Sequence, residues 1–189
     1  MNNNINKNRS FYITRTAILL AFALAVQFTL LRMFPGNPVI VYIVGSIINM
    51  ILFLAAMNIG LWSGVLISVI TPLVALMTGH LPLAILLPFV AIANVIIVVA
   101  FLLISKIFKA KQLDIIIGGV VASVLKFAAM YFSATLLLPL ISSIPAPVVT
   151  KLSATWSIPQ LVTALIGLSL AITLTKSLKK THILEMPNN

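Results

Sequence analysis

The sequence of 189 residues contains no cysteine and only two acidic residues, Asp114 and Glu185. The absence of cysteine excludes disulfide bonds and thiolate metal sites. Charged residues make up 7% of the chain, whereas they make up roughly a quarter of a soluble globular domain. The chain is instead 61% hydrophobic. Its apolar residues form long segments, which is typical of a polytopic membrane protein.

Several catalytic and energising motifs are also absent. The sequence has no GxxxxGK[ST] phosphate-binding loop and no HExxH zinc motif, and His80 is the one histidine within the apolar region. We therefore expect neither an enzyme nor a protein with a bound cofactor or metal. Asp114 lies at the start of the fifth predicted span, and no carboxylate lies deep inside a span, where ion-coupled transporters commonly use one. If the protein moves a solute, we expect a partner to supply the energy.

The apolar segments predict an all-α bundle of six membrane-spanning helices. Each is roughly 18–25 residues long, which is the length that a bilayer requires. A longer Pro- and Ser-rich connection, "PLISSIPAPVVTKLSATWS", separates the last two spans. The whole chain, 1–189, is expected to form a single membrane domain. The predicted spans are about 14–31, 38–57, 61–78, 82–105, 113–138 and 157–175.

Basic residues predict the orientation of the bundle. With six spans, nine of the twelve Lys and Arg residues fall on one side, and only Arg32 and Lys151 fall on the other. Lysine and arginine accumulate in cytoplasmic loops, so both termini are predicted to be cytoplasmic. The net charge of +10 could indicate nucleic-acid binding. However, these charges lie at the ends of apolar segments rather than in a basic patch, so no nucleic-acid partner is expected. The nine residues are Lys7, Arg9, Arg15, Lys106, Lys109, Lys111, Lys176, Lys179 and Lys180.

Three polar residues lie deep inside predicted spans, at similar distances from the outer surface. They are Asn49, Asn94 and Lys126. Polar groups in hydrocarbon need partners, so these side chains should point inward, toward each other or toward a ligand. The two asparagines could instead only tie helices together. Lys126 has no carboxylate at its depth. It is therefore deprotonated by burial, solvated by carbonyl groups, or partnered by a ligand.

A second group of candidate ligand-binding residues lies toward the outer side. Arg32 and His80 are in the loops "RMFPGNP" and "TGHLP", Trp156 and Gln160 begin the sixth span, and Tyr131 is near the outer end of the fifth. Aromatic side chains at this depth also serve as interfacial anchors, and Arg32 could contact lipid headgroups. Together Lys126 and Arg32 favour an anionic or acceptor-rich ligand.

The first predicted span carries a stripe of small residues, with Ala17, Ala21 and Ala25 spaced four residues apart. Such a stripe allows another helix to approach closely, and this packing drives helix association in lipid. The partner could be another helix of the same bundle or a separate protein.

These features resemble the substrate-binding S components of the energy-coupling factor (ECF) transporters, which import vitamins and related micronutrients into bacteria and archaea. The resemblance rests on the basic head leading into "TRTAILLAFALAVQ", on the segment 44–96 and on the six-span layout. It implies that the alanine stripe docks on a transmembrane coupling subunit and that two ATPase subunits power uptake. It also implies a pocket near the outer face, closed by the loops after the first and third spans.

Three hypotheses follow. The first is a micronutrient-binding subunit of an ECF importer in the plasma membrane, as the alanine stripe and the missing energy motif suggest. The second is a membrane scaffold of the cell envelope, in which protein carbonyl groups alone satisfy Lys126. The third is a self-contained passive transporter.

Overall fold

The computed structural model describes residues 2–107 and 113–180 of the chain. In these two ranges the secondary structure is helical and includes no β-strand, which confirms the predicted all-α class. The helices are α1 (Asn2–Met33), α2 (Pro38–Asn58), α3 (Leu61–Met77), α4 (Leu87–Ile107), α5 (Leu113–Phe132), α6 (Ala146–Thr155) and α7 (Ile158–Lys180).

Five helical segments are long and apolar enough to cross a membrane, and they coincide with five of the six predicted spans. The remaining predicted span, 61–78, corresponds to α3, which has 17 residues. At ~1.5 Å per residue α3 is about 26 Å long. The five long segments are Arg9–Met33, Pro38–Asn58, Ala84–Ile107, Leu113–Leu140 and Ala146–Lys180.

Two helices differ from the sequence-based prediction. The first begins at Asn2 rather than near residue 14. No proline or glycine interrupts the polar head, so it continues the same helix. The Pro- and Ser-rich connection, for which the sequence analysis predicts no helix, contains α6. Pro145 is its N-cap and Pro147 lies in its first turn, where the missing N–H of proline removes no helical hydrogen bond.

Irregular turns gather at one end of the bundle. A 3₁₀ turn, Ala84–Leu86, leads into α4, and a π turn, Ser133–Leu137, followed by a 3₁₀ turn, Leu138–Leu140, extends α5. Loops 34–37 and 78–83 lie at the same end, which we call the loop end. The opposite end, which we call the basic end, carries the described basic residues Arg9, Arg15, Lys106, Lys176, Lys179 and Lys180.

Two clusters of buried apolar side chains fill the bundle. The basic-end core uses the second halves of α2 and α4, where the Phe53 and Phe101 rings meet edge to face with centroids 5.5 Å apart. The loop-end core is built around Leu86, Leu138 and Trp156. The deep polar residues lie where these two cores meet.

The first helix lies at the edge of the bundle, where it packs mainly against α2 and α3. Ala23 and Gln27 are buried on its inner face. Ala17, Ala21 and Ala25 are all exposed. The alanine stripe therefore takes no part in the internal packing of the described chain.

Candidate functional site

Lys126 is at the centre of a buried polar cluster formed by three helices. Its side chain is 4% exposed. Its Nζ donates one hydrogen bond to Oδ1 of Asn49 on α2, at 2.5 Å, and another to Oδ1 of Asn94 on α4, at 2.8 Å. The structure thus brings together the three residues that the sequence places at a similar depth in their spans. A neutral amide oxygen is a good acceptor for an ammonium group but supplies no negative charge.

The two amide groups are oriented by this lysine, because an ammonium group can only donate hydrogen bonds. Each asparagine turns its oxygen toward Lys126 and its Nδ2 group away. Nδ2 of Asn49 donates to Oγ1 of Thr163 on α7 at 3.3 Å, and this hydroxyl donates to the carbonyl oxygen of Gln160 at 3.1 Å. The cluster therefore extends over four helices.

No carboxylate neutralises Lys126 within the described part of the chain. Asp114 is the acidic residue described there, and it lies in the first turn of α5, where Oδ1 accepts a hydrogen bond from the amide of Ile115. Twelve helical residues separate it from Lys126, which is about 18 Å at ~1.5 Å per residue. An ammonium group at this depth is therefore held by neutral oxygens, a costly arrangement in a membrane interior.

The polar cluster lines a cavity of about 240 Å³ at the loop end, which we call the inner cavity. Six of the predicted site residues line it. Lys126, Asn49 and Asn94 are joined there by His80 from the α3–α4 loop and by two residues near the start of α7. The last two are Trp156, which is buried, and Gln160. The cavity thus combines an apolar wall with a few polar groups, as ligand sites do.

A second cavity of about 480 Å³, which we call the mouth, lies between the α1–α2 loop and the α3–α4 loop. Arg32 lines the mouth, with its guanidinium carbon 5.3 Å from the centroid of the Phe28 ring. Leu31 and His80 line both cavities, so the mouth and the inner cavity adjoin. His80 is exposed, and its Nδ1 lies 2.9 Å from Oγ1 of Thr78.

Tyr131 is the one predicted site residue that lines neither cavity. Its side chain is 40% exposed, and its ring packs against Phe127 and Phe132 with centroids 5.8 and 5.9 Å away. The helical period explains this position. Five residues separate Tyr131 from Lys126, which places the two side chains on different faces of α5.

Sequence reasoning missed two polar residues at this site, Gln27 and Thr163. Gln27 lines the inner cavity and donates from Nε2 to the carbonyl oxygen of Thr71 at 3.2 Å. It is the amide residue of the first predicted span, so its depth could have grouped it with the asparagines. Thr163 lies one turn after Gln160, but threonine is common in membrane helices and gives little signal by itself.

Ala17, at one end of the alanine stripe, lines a groove of about 640 Å³ at the basic end. Tyr12, Leu20 and residues at the start of α3 also line this groove. Among the α3 residues, Trp62 is 82% exposed and Leu66 is 47% exposed. An exposed apolar surface of this kind faces lipid or another helix.

Comparison with known proteins assigns the chain to a family. Neither the curated proteins nor the solved structures include a match to this sequence. The family model described as "ECF transporter, substrate-specific component" matches residues 11–178, which contain all eight predicted site residues and the alanine stripe. The chain therefore belongs to the family of substrate-specific components of ECF transporters.

Proposed function

We propose that this protein captures a vitamin or a related small micronutrient in its inner cavity and delivers it to the cell as part of a multi-subunit importer. Membership of the family establishes a substrate-specific transport subunit. This favours the first of the three sequence-based hypotheses over a scaffold and over a passive transporter. The class of solute, the partners and the sidedness of the bundle belong to the proposal.

One observation carries the proposal. Lys126 and the two asparagines lie at the floor of a cavity that adjoins a wider mouth. A lysine ammonium has three N–H donors, and the asparagine oxygens take two of them. The third is left for an acceptor on a solute. In a scaffold there would be no reason for a cavity to adjoin this buried amine.

The proposed orientation has six spans, with the basic end in the cytoplasm and the loop end outside. Basic residues described at the two ends support it, since cytoplasmic loops carry the excess of lysine and arginine. Of the predicted cytoplasmic residues, Lys109 and Lys111 lie outside the described residues, as does the side chain of Lys7. In this orientation the mouth opens to the exterior. The sequence places Arg32 in the first outer loop, but it lies in the last turn of α1, next to that loop. The α1–α2 loop and the α3–α4 loop, which carries His80, close over the solute.

The proposed partners are a transmembrane coupling subunit and two ATPase subunits. The chain lacks a phosphate-binding loop, so ATP hydrolysis must occur elsewhere. The exposed alanines on α1 offer a helix-packing surface that the bundle itself leaves unused. We propose that Ala17, Ala21 and Ala25 contact the coupling subunit.

Mass spectrometry of the purified subunit tests the proposed function. We expect a small molecule to co-purify with the protein, or to be retained after incubation with the small-molecule fraction of a cell extract. Calorimetry with the identified compound then gives its affinity. A preparation that retains nothing from such an extract would contradict the proposal and would return Lys126 to a role in holding helices together.

A further inference from the structure

Gln27 has a polar atom that no group in the described part of the protein satisfies. Its side chain is 5% exposed, and its Oε1 is buried without a hydrogen-bond partner among the described residues. Of the buried side-chain oxygen and nitrogen atoms in the described chain, this is the one left without a partner. Buried polar atoms are normally paired, so an orphan acceptor requires an explanation.

The orientation of this amide is determined by its neighbour. Nε2 of Gln27 lies 3.2 Å from the carbonyl oxygen of Thr71, which can only accept a hydrogen bond. Exchanging the two ends of the amide would place two oxygens against each other. The unsatisfied atom is therefore the oxygen, and the missing partner must be a hydrogen-bond donor.

A merely structural link between α1 and α3 does not need an amide. Near the basic end, Thr16 and Ser63 join the same two helices through hydroxyl groups 2.9 Å apart. That link leaves no buried atom unpaired in the described chain. Gln27 makes an equivalent link near the loop end but adds an acceptor that nothing in the described protein uses.

The position of Gln27 supplies the second part of the explanation. Gln27 lines the inner cavity together with Lys126 and Asn94. The lysine side of this cavity offers a donor, namely the third N–H of Lys126, because the two asparagine oxygens accept the other two. The α1 side offers an acceptor. The cavity is thus complementary to a solute with both kinds of group.

We propose that Gln27 is a solute-binding residue whose Oε1 accepts a hydrogen bond from an N–H or O–H group of the solute in the inner cavity. This inference rests on the proposed function of that cavity. It specifies the class of solute as a small molecule that carries an acceptor or anionic group, which meets Lys126, and a donor, which meets Gln27. The cavity of about 240 Å³ is at the small end of ligand pockets, which typically measure about 300–1,000 Å³.

The test compares wild type, Gln27→Met and the matched control Thr16→Val, each incubated with the small-molecule fraction of a cell extract. Both variants remove one hydrogen bond between α1 and α3, but only Gln27 lines the inner cavity. We expect the compound retained by wild type to contain a donor and an acceptor. Its dissociation constant should rise at least tenfold in Gln27→Met, or about 1.4 kcal/mol, and should be unchanged in Thr16→Val.

An analogue of the retained compound, with its donor methylated, completes the test without relying on a variant. It should bind wild type at least tenfold more weakly than the parent compound and should bind Gln27→Met no more weakly than the parent does. Equal binding of parent and methylated analogue to wild type would overturn the inference and leave the proposed function intact. Unchanged binding of the parent to a folded Gln27→Met would have the same consequence, because a water molecule would then satisfy Oε1. If wild type retains no compound, both the proposed function and this inference are contradicted.

Discussion

The basic end and the loop end of the bundle are packed to different densities, and helical glycines show the difference. A Cβ atom added to Gly64, near the basic end, would lie 2.5 Å from a methyl carbon of Val98. A Cβ atom added to Gly45, near the loop end, would meet Thr163 at 3.6 Å, an ordinary van der Waals distance. The helices of the basic end are therefore packed so closely at Gly64 that a larger residue would clash with Val98, whereas Gly45 has room for one.

This difference matches the roles proposed for the two ends. Helices in lipid associate through close van der Waals packing, because burial of apolar side chains gives little driving force there. The basic-end core provides such packing. The loop end replaces regular helix with 3₁₀ and π turns and contains the two adjoining cavities. We infer that stability comes mainly from the basic end and that solute binding depends on the loop end.

The largest effect on the isolated subunit, a loss of stability, is expected for Gly167→Ala, halfway along α7. Its new Cβ would lie 2.7 Å from the backbone nitrogen of Met50 and from Cβ of Asn49. Backbone atoms cannot move aside as a flexible side chain can, so α2 and α7 must separate. We expect a loss of about 2 kcal/mol in the free energy of unfolding, within the range of about 1–3 kcal/mol for overpacked cores. Unfolding in detergent, followed by circular dichroism, measures it.

Gly45→Ala is the matched control for this substitution, since Gly45 lies in the same α2–α7 interface. Its Cβ fits, and alanine is favoured over glycine in a helix by about 0.5–1 kcal/mol. We expect unchanged or slightly increased stability. Equal losses in the two variants would show that the packing does not differ along the interface, and the comparison of the two ends would fail.

A smaller effect on the isolated subunit is expected for Lys126→Met, which changes the loop-end site but keeps the length of the side chain. Methionine removes the N–H donor that is proposed to meet the solute, and the asparagine oxygens lose their shared partner. The fold should persist through the basic-end core, while solute affinity should fall at least tenfold, or about 1.4 kcal/mol. Calorimetry with the co-purified compound measures this change.

Lys151→Met is the control, because Lys151 also lies toward the loop end but is exposed on α6. It should bind solute as wild type does. If Lys126→Met also binds as wild type, Lys126 only ties α2, α4 and α5 together. If it fails to fold, stability does not reside mainly in the basic end.

The smallest effect on the isolated subunit is expected for Ala21→Leu, on the exposed face of α1. The larger side chain projects away from the bundle, so both stability and solute binding should stay unchanged. Association with the transmembrane coupling subunit should be lost, because leucine prevents the close approach that a small residue permits. Co-purification of the two subunits from a membrane extract measures the association.

Val124→Leu serves as the comparison for the alanine variant, since Val124 is 45% exposed on α5, away from the stripe. This substitution should leave association intact. Undiminished association of Ala21→Leu would exclude the stripe as the contact surface. Loss of solute binding in Ala21→Leu would show that the outer face of α1 and the inner cavity are not independent.

Much of the fold could be predicted from hydropathy and charge alone. The all-helical class and five long apolar segments follow from the lengths of the apolar runs, because a bilayer sets a minimum span. The α6 helix could not be predicted in the same way. Its short, proline-rich sequence resembles a loop, and it forms because both prolines fall at positions where a helix tolerates them.

The candidate site was only partly predictable for a related reason. Counting residues from the ends of spans places Asn49, Asn94 and Lys126 at a common depth, but depth does not specify direction. Gln27 and Tyr131 show the consequence. Gln27 was overlooked because the alanines dominate the pattern of its helix, and Tyr131 faces away from the cavities despite a suitable depth.

The sequence by itself determined that this chain is helical, that its helices suit a membrane and that a lysine lies inside one span without a nearby acid. Those properties depend on the local order of apolar and charged residues. Only the tertiary structure decided that two asparagine oxygens hold that lysine, that one oxygen of Gln27 stays unpaired beside the same cavity and that the alanines face outward. These properties depend on the rotation of each helix about its own axis, which is set by packing against residues far apart in the chain.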